Sequence, residues 1–326
     1  MQFYDSVYGH VEVNEPLLLE LIQSAPVQRL KGVHQGGAHY LVIPKDTITR
    51  YEHSVGVMLL LRRFGASLEE QAAGLLHDAG HTAFSHVIDY VFEEYGFNYD
   101  DAHLNQVIQS SGIPKILERH GLDWKSACDK KRHSLLEQPI PLLCADRIDY
   151  TMRDSLVTLP HTPIKEWLND LTVYNGQFVF KEIQTAKSFA LHYLKLVEVL
   201  YGDALRNASY ELLAGALKAA LNDETLKESD FYGTDDAVMA ALKKSNNPVI
   251  QRNLRLLTPN LKIKVDANDY DYFVPNKMRW VDPPVLNGKN APIALSALDP
   301  EIGQAIRACR EKISKGVYIR ILNSSA

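Results

Sequence analysis

The sequence contains little cysteine, and this limits the chemistry that its thiols can do. Its 326 residues include three cysteines, at positions 128, 144 and 309, which are widely spaced and odd in number. A disulfide framework needs paired cysteines and a CxxC metal site needs close spacing, so neither fits this pattern. We therefore expect reduced thiols with structural roles.

Long apolar runs and an excess of basic charge are also missing. No apolar run approaches the ~20 residues that span a bilayer, and the opening MQFYDSVYGHVEV lacks the layout of a signal peptide. The formal net charge is -5, which argues against a surface built for nucleic acid or anionic membranes. We expect a cytoplasmic protein with no membrane partner and no nucleic-acid partner.

Helical periodicity is the main pattern over residues 1–225. With 46% hydrophobic residues the chain can bury a full core. Gly96 is expected to end one helix, and Asn175-Gly176 predicts a hairpin with a type I′ turn over 171–181. Apolar spacing bounded by caps and glycines predicts helices over 16–30, 49–64, 67–79, 82–95, 100–110 and 141–156, and two packed helices over 185–221.

The C-terminal part of the chain has a different composition. After a helical TDDAVMAALKKS, the segment KIKVDANDYDYFVPNKMRWVDPP is rich in Tyr, Val, Asp and Pro, and KGVYIRIL has the pattern of a strand. We expect a mostly α fold with a helical domain over residues 1–225 and a smaller α+β region over 226–326. The aromatic residues of YDYFVP are expected to form either a homo-oligomer contact or a small core.

The segment LLHDAGHTAFSH, residues 75–86, places three histidines and an aspartate among apolar residues. His77 and Asp78 follow the apolar AAGLL, so both side chains are expected to point inward, where a carboxylate needs a positive partner. His53 on the preceding helix and Asp146 on a later one complete a set of two histidines and two carboxylates. Such a set suits a divalent metal, and ligands without thiolate favour Mn, Fe, Co, Ni, Zn or Mg. The alternative is separate core histidines and ion pairs.

Polar residues near these ligands also recur at helical spacing. His86 and Asp89 lie three residues apart, so a helix starting at Thr82 would let the carboxylate raise the pKa of His86 and make it a proton donor or a phosphate-binding cation. His103 is another candidate for this role. One face of the later helix groups Asp146, Asp149, Tyr150 and Arg153.

The order His53, His77-Asp78, Asp146 resembles the HD superfamily of metal-dependent phosphohydrolases, and the surrounding sequence is closest to its deoxynucleoside triphosphate triphosphohydrolase branch. The resemblance covers residues 5–155. It is carried by VYGHVEV, by QRL followed by Gln35-Gly36-Gly37, and by RYEHSVGV, LLHDAGHTAFSH and DRIDYTMRD. It implies a helical HD bundle with a core over about residues 30–156, and hydrolysis of a nucleotide substrate, a dNTP, to deoxynucleoside and triphosphate.

The resemblance also implies roles for individual positions. The residues that match His53, His77, Asp78 and Asp146 hold the metal. The residue that matches Gln35 contacts the sugar. The positions that line the phosphate and sugar site match Arg50, His81, His86, Asp89, His103, Arg147, Tyr150 and Asp154.

Some positions depart from the family pattern. The triphosphohydrolases carry a leucine that crowds a 2′-hydroxyl where this chain has Gly36, so exclusion of ribose is not implied. A phosphate-binding arginine of the family matches Gly202 here, and Arg206, one turn later, is either its substitute or a solvated helix residue. His34 and His39 flank the sugar-site loop and are expected to be surface or turn residues.

Three alternatives to triphosphate hydrolysis remain open. One is a nucleotide phosphomonoesterase. Another is a cyclic-nucleotide phosphodiesterase, in which His81, His86 or His103 would join a second metal. The last is a nucleotide-binding protein without turnover, although the complete set of four ligands argues against it.

Overall fold

Helices make up most of the structure, a computed structural model that describes residues 1–95, 99–286, 288 and 291–322. The predicted mostly α fold is confirmed. The α-helices are α1 (Pro16–Gln23), α2 (Ala25–Arg29), α3 (Arg50–Arg63), α4 (Leu68–Leu76), α5 (Tyr99–Gln109), α6 (Ile113–Arg119), α7 (Trp124–Cys128), α8 (Ala145–Thr158), α9 (Ile164–Asp170), α10 (Ile183–Leu196), α11 (Ala204–Asn222), α12 (Asp235–Lys244), α13 (Pro248–Leu256), α14 (Leu295–Leu298) and α15 (Pro300–Ser314). None of the helices within the described residues is long and apolar enough to cross a membrane.

The strands form three small sheets. Strand β1 pairs with β2. Strands β3 and β4 form the predicted hairpin, and β9 lies between β5 and β6. Asn175 and Gly176 in the hairpin turn have φ values of 49° and 74°, as a type I′ turn requires. The strands are β1 (Gln2–Asp5), β2 (Gly9–Glu12), β3 (Leu171–Tyr174), β4 (Gln177–Phe180), β5 (Ile263–Val265), β6 (Tyr272–Val274), β7 (Pro284–Val285), β8 (Ile293–Ala294) and β9 (Val317–Ile321).

Helix α3 is the central element of the site, because it packs against both α4 and α8. It begins with a capping box in which Thr49 and Glu52 each bond the other's backbone N–H, and Ser67 caps α4 by accepting from the backbone of Glu70. These local bonds fix where both helices begin. The face of α3 that carries His53 is thereby set against the end of α4.

The predicted helix over 82–95 is wrong. Its place is taken by 3₁₀ turns over Ser85–Tyr90 and Glu93–Tyr95, and Gly96 lies outside the described residues. Phe84 and Ser85 have left-handed backbone angles, with φ of 57° and 47°, which no α-helix contains. The chain therefore reverses just before His86.

Two other predicted helices are shorter than expected. The helix over 16–30 breaks at Ser24, whose ψ of 147° is extended. Pro26, which lacks an N–H and disfavours helix before it, accounts for this break. The helix over 141–156 begins only at Ala145, after an extended Cys144.

The two helices predicted over 185–221 exist, but they contribute to different hydrophobic clusters. Helix α10 supplies Phe189 and Tyr193 to a cluster with α8 and α15, whereas α11 supplies Leu213 and Leu217 to a cluster with α12 and α13. Strand β7 also pairs with β4 in parallel. Residues on both sides of the expected boundary at 225–230 thus share the same cores, and the division into two domains stays a prediction.

Asp235, at the start of α12, connects the C-terminal region to the left-handed turn. Its carboxylate is buried and accepts from the backbone N–H groups of Phe84 (2.6 Å) and His34 (3.0 Å), while His34 Nδ1 lies 2.8 Å away. Left-handed backbone at non-glycine residues is costly and persists only where neighbouring contacts enforce it. Asp235 is the contact that enforces it here.

Replacing Asp235 by alanine should lower the free energy of unfolding by about 2–4 kcal/mol, because buried N–H groups lose a charged acceptor. Urea denaturation measures this change. The matched control is Asp236→Ala, since Asp236 is an exposed acid in the same helical turn, and it should change stability by about 0.5 kcal/mol or less. Equal effects of both substitutions would show that Asp235 does not hold the turn.

Candidate metal centre and active site

Two imidazole nitrogens face each other at the centre of the helical core. His53 Nε2 and His77 Nε2 are 3.3 Å apart. The opposite nitrogen of each ring has a hydrogen-bond acceptor: His53 Nδ1 lies 2.8 Å from Asp149 Oδ2, and His77 Nδ1 lies 2.7 Å from the Gly74 carbonyl. These acceptors fix the proton on Nδ1, so both Nε2 lone pairs point into the space between the rings.

Two carboxylates border the same space. Asp146 Oδ1 lies 3.0 Å from His53 Nε2 and 3.6 Å from His77 Nε2, and Asp78 approaches these nitrogens to 3.8 Å and 3.3 Å. Lone pairs and negative oxygens that converge without a proton between them require a cation. The four predicted ligands therefore fit a divalent metal, with His53, His77 and Asp146 as the tightest group.

The pKa shifts of the ligands also indicate that positive charge stabilises this centre. Burial lowers the pKa of His53, but hydrogen bonds to Asp146 and Asp149 outweigh it and raise the pKa to about 10. Burial would raise the pKa of Asp78, yet Arg50 and the neighbouring histidines hold it well below its usual range. A proton on His53 and a bound metal are thus alternatives, since a coordinating imidazole must be neutral.

Arg50, in the first turn of α3, connects the centre to the adjacent turn. Its guanidinium donates to Asp78 Oδ2 at 2.7 Å, to Ser85 Oγ at 2.8 Å and to His86 Nε2 at 3.2 Å. Ser85 Oγ in turn donates to the His34 carbonyl at 2.6 Å. The side chain is buried and rigidly held, which places a fixed positive charge beside the metal ligands.

The prediction that Asp89 raises the pKa of His86 is wrong. His86 Nδ1 lies 3.6 Å from Asp89 Oδ2, too far for a hydrogen bond. Burial, Arg50 and His81 lower the pKa of His86 well below its usual range. Burial also raises the pKa of Asp89 to about 6. His86 therefore accepts from Arg50 as a neutral imidazole.

His81 lies closer to a carboxylate than His86 does. Its Nε2 lies 2.9 Å from Asp100 Oδ2, in the first turn of α5, and 3.4 Å from Asp78 Oδ1. Gly80 allows this approach, because a Cβ there would lie 2.6 Å from the Asp100 carbonyl. His81 and the start of α5 thus form one wall of the site.

A cavity of about 360 Å³ opens above the metal ligands, a volume within the range of ligand sites. Of the predicted site residues, Asp89 lines an adjoining smaller cavity and His103 lines neither. The others all line the main cavity: Gln35, Arg50, His53, His77, Asp78, His81, His86, Asp146, Arg147, Tyr150 and Asp154.

His103 is directed away because its own helix and a tyrosine engage it. Its Nδ1 lies 2.8 Å from the Tyr99 carbonyl, and its ring stacks on that of Tyr99 with centroids 4.1 Å apart. Asp100 and Asp101, one turn earlier on α5, line the cavity instead. The predicted catalytic role of His103 has no support in this geometry.

The three predicted substrate residues of α8 already have partners within the protein. Arg147 donates to the carbonyls of Gln138 and Leu142, Tyr150 OH lies 2.9 Å from Tyr193 OH, and Asp154 Oδ2 accepts from Tyr201 OH at 2.6 Å. Burial raises the pKa of Asp154 to about 6. These contacts fix the part of the cavity wall that α8 forms beside the metal ligands.

Several residues of the site were not predicted. Asp149 lay on the predicted polar face of α8, and its spacing of three residues from Asp146 was the available signal. Asp46, Lys277 and Arg279 line the cavity, but no local pattern marks them, because only tertiary packing brings them to the site. Arg206 is buried rather than solvated.

A second group of ligand-type atoms, from Glu137, Cys144 and Asp146, shares Asp146 with the first. Burial raises the pKa of the Cys144 thiol, which disfavours the thiolate that a metal needs. The described cysteines form no disulfide. The histidine-rich group is therefore the better metal centre.

Comparison with known proteins places this centre in a family. The HD domain family matches residues 50–154. YdhJ of Bacillus subtilis is 42% identical over 326 residues, covering 99% of each chain. The metal-dependent phosphohydrolase cns2 of Cordyceps militaris is 30% identical over 310 residues, covering 92% of this chain and 89% of that protein.

More distant similarities agree with this placement. Human deoxynucleoside triphosphate triphosphohydrolase SAMHD1 is 33% identical over 141 residues, which are 36% of this chain and 22% of that protein. The crystal structure of a phosphohydrolase from Bacteroides thetaiotaomicron has the same fold, with a TM-score of 0.73 at 18% identity, covering 99% of this chain and 100% of that chain.

The chain belongs to the HD-domain family of metal-dependent phosphohydrolases. It is a hydrolase of phosphate esters that uses a divalent metal, for which His53, His77 and Asp146 form a candidate site.

Asp149→Asn should lower the affinity for a divalent metal about 10- to 100-fold, because the carboxylate that orients His53 and fixes its proton is lost. Titration of the metal-free protein with Mn²⁺ or Co²⁺ measures this affinity. Tyr8→Phe is the matched control, since Tyr8 OH donates to the other oxygen of the same carboxylate at 2.8 Å. Wild-type affinity in Asp149→Asn would contradict the assigned role of Asp149.

Proposed function

We propose that this phosphohydrolase acts on nucleotides at a single metal centre, releasing the phosphate chain from a nucleoside triphosphate. The observation that carries the proposal is the junction of the four metal ligands with a cavity of nucleotide-binding size that is rich in cations. The name of the SAMHD1 relatives supports cleavage of a deoxynucleoside triphosphate to nucleoside and triphosphate. The cations are Arg50, Lys130, Arg147, Arg206, Lys277 and Arg279.

A divalent metal on these ligands would supply Lewis-acid polarisation of a phosphoryl oxygen and a lowered pKa for attacking water. The chain's own groups do the remaining work. Arg50 neutralises charge on the phosphate nearest the ligands, and it is already oriented by Asp78 and Ser85. His86 lines both cavities and its side chain is 28% exposed, so this neutral imidazole can contact substrate and donate a hydrogen bond from Nδ1 to a phosphate oxygen.

Two further arginines of the cavity, Arg206 and Arg279, are suited to bind a phosphate tail. Arg206 donates only to Tyr210 OH from its side chain, and Arg279 lies over the rings of Tyr201 and Tyr150 with centroid distances of 5.0 Å and 5.8 Å. Neither guanidinium has a carboxylate within 4.0 Å among the described residues. Buried or half-buried arginines without an anionic partner favour an anionic ligand with several phosphates.

The position of Arg50 argues for one metal rather than two. A second metal would draw on His81 and His86, whose ring centroids are 5.2 Å apart. The Arg50 guanidinium, 3.2 Å from His86 Nε2, occupies this position with its own charge. His103 is not within reach. These contacts support the triphosphohydrolase-like reaction over the dinuclear cyclic-nucleotide alternative.

The central test is a substrate screen of the purified protein, loaded in turn with Mn²⁺, Fe²⁺, Co²⁺, Ni²⁺, Zn²⁺ or Mg²⁺. Nucleoside triphosphates, monophosphates and cyclic nucleotides are supplied, and phosphate, pyrophosphate and triphosphate are detected separately. We expect triphosphate as the product and one metal per chain. Two metals per chain, or tight nucleotide binding without any product, would overturn the proposal.

Two histidine variants separate metal binding from chemistry. His77→Ala should lose both metal content and hydrolysis. His86→Ala should retain its metal while kcat falls roughly 100-fold or more, as expected when a hydrogen-bond donor to the reacting phosphate is removed. His10→Ala, at an exposed position, is the control. Loss of metal in His86→Ala, or an unchanged kcat, would contradict the role given to His86.

Arg279→Gln should raise KM for a nucleoside triphosphate about tenfold and leave KM for a monophosphate nearly unchanged, because only the longer phosphate chain reaches the arginine. Steady-state kinetics on both substrates measure the difference. Arg310→Gln is the matched control, since Arg310 is exposed and lies over the Trp280 ring at 4.3 Å. An equal rise in KM for both substrates would place Arg279 elsewhere in the substrate complex.

A further inference from the structure

A carboxylate fills the space next to Gly36 at the edge of the cavity. A Cβ on Gly36 would lie 2.4 Å from Asp46 Oδ2. The φ of Gly36 is -75°, so its backbone would accept other residues and only the carboxylate stands in the way. A glycine at this position therefore serves to admit Asp46.

Asp46 is held in place by a histidine. Asp46 Oδ2 lies 2.6 Å from His39 Nδ1, and both residues are buried. His39, expected to be a surface or turn residue, thus has a structural partner instead. Burial raises the pKa of Asp46, but the bond to His39 and the charge of Arg206 together outweigh it, and the net shift is downward. The group is an ionised acceptor.

The second oxygen of this carboxylate remains available. Asp46 lines the cavity, and within the described residues Asp46 Oδ1 accepts no hydrogen bond and forms no ion pair. The neighbouring Gln35 Oε1 is buried and likewise has no partner. Buried polar atoms without partners are costly in native proteins and are usually satisfied by a ligand or water. Asp46 therefore offers an ionised acceptor at the cavity, and the neighbouring Gln35 carries a buried acceptor without a partner.

The surroundings restrict what those donors are. Asp154 Oδ2 is already bonded to Tyr201 OH at 2.6 Å, and the charge of Asp46 adds to the effect of burial in raising the pKa of Asp154. Tyr210 OH donates to the Gly36 carbonyl at 2.9 Å. The charge of Arg206 acts on both carboxylates. Because an ionised carboxylate oxygen only accepts hydrogen bonds, the free oxygen of Asp46 suits a hydroxyl donor and not the oxygen of an ionised phosphate.

We propose that Asp46 and Gln35 bind the vicinal hydroxyls of a ribose, so that the enzyme prefers ribonucleotides to 2′-deoxynucleotides. The inference rests on the proposed nucleotide phosphohydrolase function and adds the sugar to it. Asp46 Oδ1 accepts from the 2′-hydroxyl, a hydrogen bond that a deoxyribose cannot make. A site built around such a bond rejects the analogue that lacks the hydroxyl, because its polar group is then left unpaired.

The test compares matched ribo- and 2′-deoxynucleotides with the same base and phosphate chain. The quantity measured is the ratio of their kcat/KM values, supported by equilibrium binding of non-hydrolysable analogues of both sugars. We expect wild-type protein to favour the ribonucleotide at least tenfold in both measurements. Asp46→Asn should bring the ratio close to one. A general loss of stability or activity would lower both substrates together and leave the ratio unchanged.

A double variant tests the same contact by replacing the carboxylate with an apolar side chain. Gly36→Leu combined with Asp46→Ala replaces the carboxylate by an apolar side chain, and it should favour the deoxynucleotide. Asp269→Asn, on the surface beside Arg320, is the control and should keep the wild-type ratio. Equal kcat/KM for both sugars in wild type, or a ratio unaffected by Asp46→Asn, overturns the inference alone. Failure to bind or hydrolyse either sugar series overturns the proposed function and this inference with it.

Discussion

The site depends on one constraint: His53 and His77 must each present an unprotonated Nε2 to the same point. Asp149 and the Gly74 carbonyl achieve this by binding the opposite ring nitrogens at 2.8 Å and 2.7 Å. With the carboxylates of Asp78 and Asp146 added, the centre cannot be filled by apolar packing and is stable only around positive charge. The helix positions, the capping residues and the adjacent turn all serve to hold this convergence.

Part of the cavity is assembled from residues outside the region that matches the family. Residues 50–154 supply the metal ligands and Arg50, whereas Asp235, Lys277 and Arg279 come from the C-terminal part of the chain. Asp235 holds the left-handed turn that positions Ser85 and His86. Lys277 and Arg279 line the cavity. The metal ligands and the two C-terminal cations thus come from different parts of the sequence.

Much of the helical framework and the four metal ligands could be predicted, because both leave local signals. Thr49 with Glu52, Ser67, and Asn175-Gly176 act through contacts within a few residues, and histidine and aspartate are rare in apolar segments unless they have partners. The turn at Phe84 could not be predicted, since Asp235 enforces it from far along the chain. The same limit explains why Arg279 was missed.

The paired histidine and aspartate at the sugar side show a similar dependence. His39 and Asp46 are separated by a loop and bond to each other in the folded chain. The carboxylate fits beside the cavity because Gly36 has no side chain to occupy that space. A short polar contact of this kind changes which ligand fits without moving a metal ligand.

The left-handed turn before His86 also has a consequence for the order in which the protein matures. All four metal ligands are complete once Asp146 has been synthesised, but the turn is held only after Asp235 has followed, and Arg279 arrives later still. The residues that bind the metal and the residues that shape the cavity above it are therefore added at different stages of synthesis, and the site is complete only when residue 279 has been reached.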